Sequence, residues 1–79
     1  MTMEQIDFFL MTVRCDTFLE AAENLHIAQS TLSKQIQKLE SELNLTLFDR
    51  TRRQAVLTPA GELFCQEASE LSRQYHQML

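Results

Sequence analysis

Seventy-nine residues, 44% of them apolar and 23% charged, with one glycine, one proline and no tryptophan, describe one small domain with a single modest core. A chain of this size buries only about 60% of its unfolded surface, which excludes an enzyme built around a cleft between two domains; its apolar content excludes disorder. The net charge of −4 argues against a polyanionic partner until the charges are located. Residues 1–27 carry one base, Arg14, against five acids, and residues 58–79 carry Arg73 against three. Residues 28–57 hold Lys34, Lys38, Arg50, Arg52 and Arg53 against Glu40, Glu42 and Asp49. Since charges beyond about 8 Å are largely screened at physiological salt, the basic middle segment decides where a polyanion docks.

The longest apolar run, Phe8 to Met11, is far too short to span a bilayer, and nothing resembles a signal peptide. The expectation is a soluble cytoplasmic chain without membrane contact. Cys15 and Cys65 stand far apart, and neither they nor His26 and His76 have partners at metal-ligand spacing. The cysteines read as small buried hydrophobes, no metal or cofactor is expected in this domain, and no catalytic machinery is visible.

Ile6, Phe9, Leu10 and Val13 recur at helical spacing and predict a first helix from Met3 to about Val13. Thr17 and Glu20 form a T-x-x-E capping box that starts a second helix at Phe18, with Phe18, Ala21, Ala22 and Leu25 facing inward. The paired alanines admit a close helix crossing. After a link of about three residues, Leu32, Ile36, Leu39 and Leu43 mark the buried stripe of a third helix, which Asn44 ends in a left-handed conformation. Leu45, Leu47 and Phe48 lead into a basic stretch, Asp49 to Gln54, and then into Ala55, Val56 and Leu57, a pattern that fits a small two-stranded hairpin. Thr58 as N-cap and Pro59 at the first helical position open a fourth helix that runs to the end. Within it Phe64, Ala68, Leu71, Tyr75 and Met78 follow four–three–four–three spacing, the seam of a coiled coil, while Leu63 beside the seam is expected to turn back onto the domain. About 20 helical residues reach about 30 Å, and nothing else in the chain is left to cover that seam. A partner molecule is therefore expected along it.

Two helices joined by a tight turn, with Ala22 in the first, His26 at a position of positive φ and Ile27 inside, have the organisation of a helix-turn-helix. The outer face of the third helix carries Gln29, Ser30, Ser33, Lys34, Gln37 and Lys38, and no acid occurs between Asn24 and Leu39. Glutamine can pair with adenine, lysine can reach guanine or phosphate, and serine permits close approach to a groove. Arg50, Arg52 and Arg53 in the hairpin loop can flank the duplex. The alternative is a helical protein-interaction module, its partner bound on the fourth helix and its basic face incidental.

The stretch FLEAAENLHIAQSTLSKQIQKLESELNLTLFDRTRRQAVLTPAGELF resembles the N-terminal DNA-binding domain of LysR-type transcriptional regulators. The most specific parts are AA-x-x-L-H-I-x-Q-S-x-L-S-K-Q-I, L-E-x-E-L-x-x-x-L-F-D-R and L-T-P-A-G. The resemblance implies a mainly α fold: a winged helix-turn-helix over residues 1–57, with a three-helix core and a small two-stranded wing, then a dimerisation linker helix over 58–79. It implies sequence-specific binding of double-stranded DNA by a homodimer at interrupted palindromic promoter sites, with the third helix in the major groove. Contacts carried over by position are Gln29, Ser30, Thr31, Ser33 and Lys34 on the reading helix and Arg50 and Arg53 near the wing; the charge pattern adds Lys38 and Arg52. It further implies a C-terminal domain of two α/β lobes that binds a small effector, no part of which lies within these residues, and a tetrameric whole protein. The sequence departs from the family pattern at Ala28, where serine often caps the reading helix, at Arg52 and Gln54, where the wing often has glycine, at Val56, where a basic residue is frequent, and at Lys34, where arginine is usual.

Overall fold

A computed structural model describes residues 1–79 as four helices in chain order: α1 (Met3–Arg14), α2 (Phe18–Leu25), α3 (Gln29–Leu43) and α4 (Pro59–Met78). α1 is packed against each of the other three and so forms the centre of the molecule. Its Ile6, Phe9 and Leu10 meet Ala21 and Ala22 of α2, Leu32, Ile36 and Leu39 of α3, Ala68 of α4, and Leu47 and Phe48 from the segment after α3. The aromatic rings organise this core. Phe9 lies 5.5 Å from Phe48 and edge-on to Phe64 at 5.1 Å, and Phe18 meets Phe48 edge-on at 5.1 Å. Val13, expected inside α1, is half-buried, whereas Thr12 is fully buried and donates its hydroxyl to the Phe8 carbonyl at 2.8 Å. That back-bond satisfies the polar group within its own helix and lets threonine fill an apolar site.

The chain punctuation follows local chemistry. His26 ends α2 at φ 58° and Asn44 ends α3 at φ 54°, both left-handed as expected, and both types tolerate that region better than most residues with a side chain. Thr17 accepts from the Glu20 N–H at 3.1 Å, but the return bond of the expected capping box is not made. The complete box forms instead at α1, where Thr2 and Gln5 bond each other's backbone N–H. Thr58 caps α4 through the Gly61 N–H at 2.9 Å, with Pro59 in the first turn.

The expected two-stranded wing is reduced to one antiparallel bridge between Phe48 and Leu57. The bonds flanking it run from the Asp49 N–H to Val56 O at 2.8 Å and from the Thr58 N–H to Leu47 O at 2.9 Å. The ladder stops there for two reasons. The Ala55 N–H is taken by the Asp16 carbonyl at 2.8 Å, and Asp49 turns the opposite limb by accepting the Thr51 N–H at 3.0 Å. Residues 50–54 are thus a loop, anchored below by Phe48 and beside α2 by Asp16.

α4 differs along its length. Gly61, Phe64 and Ala68 are turned onto the domain, so the first half of the helix closes the core, and the second half extends past it. Gly61 permits the approach: a Cβ there would lie 2.1 Å from the Leu47 carbonyl oxygen.

Candidate nucleic-acid interface

The outer face of α3 is open to solvent. Gln29, Ser30, Thr31, Lys34, Gln37 and Lys38 are exposed and Ser33 is half-buried, because Leu32, Ile36 and Leu39 take the inner stripe at the same helical period. Neither Lys34 nor Lys38 is within ion-pair distance of an acid. The start of α3 is also electropositive. Ala28 supplies no side-chain cap and the first turn holds no acid, so the first-turn N–H groups are left for solvent or an anion.

An open groove of about 460 Å³ lies between this face, the start of α2 and the loop, lined by Gln29 and Ser33, by Thr17, Phe18 and Leu19, and by Asp49, Arg50, Arg52, Arg53 and Gln54, so that three arginines face one acid. Tertiary structure thus brings the expected glutamine, serine and three arginines to one concavity. Lys34 and Lys38 continue the same helix face beyond it, where exposed Glu42 stands one turn after Lys38.

The arginines are not equivalent. Arg50 donates to Glu40 at 3.1 Å and lies over the Phe18 ring at 4.9 Å from its centroid. Arg52 is 3.5 Å from Asp49, and Arg53 has no acid partner. The Thr51 hydroxyl and N–H bonded to Asp49, with Arg52 alongside, hold that carboxyl below the usual carboxylate range. Glu40 carried no signal in the helical pattern beyond ending the acid-free interval. Its role depends on residues seven to ten positions further along the chain.

The expected seam on α4 divides. Phe64 and Ala68, the latter 2% exposed, pack with the core of the single chain, where Phe64 meets Phe9 edge-on. Leu71 is 42% exposed, Tyr75 38% and Met78 82%. Leu63 does not turn back: it is 67% exposed. The open apolar stripe is therefore Leu63, Leu71 and Met78, flanked by Tyr75; the polar residues Glu67 and Gln74 interrupt its helical series, so periodicity alone gave no clear signal for it. Beyond the core, α4 is tied to α1 by Ser72 and His76, whose side chains lie 3.5 and 3.9 Å from Asp7.

A three-helix unit with a tight left-handed turn, an exposed acid-free face on its third helix and a cationic loop beside it is a helix-turn-helix domain. The model for bacterial regulatory helix-turn-helix proteins of the lysR family matches residues 3–62, and the chain belongs to that family. Among curated relatives, the uncharacterized HTH-type transcriptional regulator YcgK of Bacillus subtilis is 42% identical over 79 residues, covering 100% of this chain and 24% of that protein. The HTH-type transcriptional regulator BenM of Acinetobacter baylyi is 39% identical over 79 residues, 100% of this chain and 26% of that protein. The chain thus spans about a quarter of the length of these relatives. The crystal structure of the BenM DNA-binding domain with benA site 1 DNA has a TM-score of 0.94 at 40% identity, covering 99% of this chain and 91% of that one. Full-length CbnR complexed with its target DNA has a TM-score of 0.92 at 28% identity, over 99% of this chain and 27% of that one.

Proposed function

We propose that the chain is the sequence-specific, double-stranded-DNA-binding part of a transcriptional regulator, with α3 lying in the major groove and the loop of residues 50–54 beside the phosphate backbone. The observation that carries this reading is the exposed face of α3 from Gln29 to Lys38, which holds no acid, opening onto a groove lined by three arginines and Asp49. Its support is that the same fold is seen bound to DNA in the BenM complexes. In this reading Gln29, Ser30, Thr31, Ser33 and Lys34 meet base edges and nearby phosphates, while Lys38, Arg52 and Arg53 add phosphate contacts. The overall charge of −4 does not oppose docking, because at the site itself Lys34, Lys38, Arg52 and Arg53 outnumber the neighbouring acids Glu42 and Asp49.

The proposal extends to a homodimer joined along α4 that reads an interrupted palindrome. Exposed Leu63, Leu71, Tyr75 and Met78 support it, whereas Phe64 and Ala68 support the fold of each subunit. The whole protein is proposed as a cytoplasmic, non-enzymatic regulator, commonly tetrameric in this family, whose small effector binds a further C-terminal domain; no helix here is long and apolar enough to cross a membrane.

A salt titration tests the reading. Affinity for a duplex enriched by the protein from a random-sequence pool is expected to fall steeply with salt, and Lys34→Ala is expected to flatten the log–log slope by about 0.9 if that lysine meets phosphate. Salt-insensitive binding would refute it. Leu71→Asp is expected to abolish dimers and weaken DNA binding together, measured by sedimentation and fluorescence anisotropy. Loss of dimers with undiminished DNA affinity would favour the protein-interaction alternative.

A further inference from the structure

Glu40 stands near the C-terminal end of α3, on the side of the helix that carries Gln29 and Ser33 and faces the loop, with a side chain only 15% exposed. One carboxylate oxygen accepts the backbone N–H groups of Leu47 at 2.7 Å and Phe48 at 3.3 Å, and the other accepts from Arg50 at 3.1 Å. Arg50 in turn covers the Phe18 ring of α2, and Phe18 meets Phe48 edge-on. The four side chains close a circuit that joins α3, α2 and both ends of the turn leading into the arginine loop.

Resting on the DNA-binding reading, the structure assigns Glu40 and Arg50 to positioning: Glu40 fixes the arginine loop against α3, Arg50 is the strut between them, and Arg52 and Arg53 are the loop's cations for phosphate. This differs from the expectation that Arg50 itself contacts DNA. For Arg50 to leave, a phosphate would have to replace both the carboxylate and the aromatic face, and a largely desolvated carboxylate would lose its counter-cation. Arg52 is held only by a more exposed aspartate and Arg53 by no acid, so neither faces that obstacle. The loop is short, and anchoring its residue 50 fixes where residues 52 and 53 project.

The test compares wild type, Arg50→Gln, Arg53→Gln and Glu40→Gln on the pool-enriched duplex over a salt series, with amide hydrogen exchange on the free proteins. Arg53→Gln is expected to flatten the salt slope by about 0.9. Arg50→Gln and Glu40→Gln are expected to lower affinity roughly tenfold, as when an ordering contact beneath a binding surface is lost, with the slope unchanged. Glu40→Gln is also expected to speed exchange at Leu47 and Phe48, and circular-dichroism melts confirm that each variant is folded. If Glu40→Gln binds DNA more tightly than wild type, or Arg50→Gln flattens the slope as Arg53→Gln does, Arg50 is a DNA contact held in check and the inference is overturned; unchanged affinity in both overturns it equally. If the wild-type chain enriches no duplex, it is the DNA-binding reading that fails, and unchanged exchange at Leu47 and Phe48 in Glu40→Gln then separately refutes the strut.

Discussion

The reading face of α3 and the loop of residues 49–54 both gather positive charge, but they hold it differently. On α3 the two lysines project unpaired from a regular helix whose opposite stripe is locked into the core. In the loop, two of the three arginines are engaged by acids of the same chain, and its ends are held by the Asp49–Val56 bond, by Asp16 of the α1–α2 link through the Ala55 N–H, and by the Arg50–Glu40 pair rather than by a ladder of its own. A helix fixes its side chains through its period. A loop borrows its shape, so its charges serve both structure and binding, and they cannot be counted as ligand contacts from sequence alone.

Gly61→Ala should disturb the loop side of this contrast most. The added Cβ meets the Leu47 carbonyl, which is held by the Thr58 N–H, so relief requires a shift of the segment that anchors Phe48. A cost of roughly 3 kcal/mol is expected for such overpacking, seen as a melting temperature lower by more than about 10 °C; a melting temperature within about 2 °C of wild type would mean that α4 docks more loosely than the structure describes.

The helix side can be sharpened by Ala28→Ser. Ala28 already has the extended conformation of an N-cap, and a serine oxygen could accept a first-turn N–H that now has no side-chain partner. A gain of about 1 kcal/mol is expected, measured by urea unfolding. No gain would show that solvent already satisfies that turn fully.

The smallest effect belongs to Asp49. Its carboxyl is held below the usual range first by the Thr51 hydroxyl, so ionisation favours the folded loop at neutral pH. That contribution is lost as pH falls through the lowered folded value, and the group is exposed, so the change is local. In acid, the Thr51 amide is expected to exchange faster while exchange at Leu32 and Ile36 stays slow; a global loss of protection at the same pH would refute a local effect. Asp49→Asn should remove most of this pH dependence.

Residues 1–44 were nearly legible in the sequence. The helical spacings, Thr17, the positive-φ residues His26 and Asn44, and the three-residue link all act within a few positions, and the structure follows them. The same holds for Thr58 and Pro59 at the start of α4. Burial of Thr12 was not legible, because only the back-bond to Phe8 makes a hydroxyl tolerable there. The expectation that Leu63 turns back onto the domain failed, since Leu63 and Phe64 are equally apolar neighbours and only docking on Phe9 decides which turns inward. The residues expected to read DNA are exposed on α3, while the different partners of Arg50, Arg52 and Arg53 were not legible, because they depend on Glu40 and Asp49 meeting the loop.

What the sequence determined alone was everything that local periodicity and capping control: four helices, the tight turn and an acid-free outer face on the third. Tertiary structure decided which partner each loop group finds. It gave the Ala55 N–H to Asp16 and not to a second strand, Arg50 to Glu40 and Phe18, and Phe64 to the core while leaving Leu63 outside. These choices join residues far apart in the chain, and their energies appear only once α1 has brought α2, α3 and α4 together.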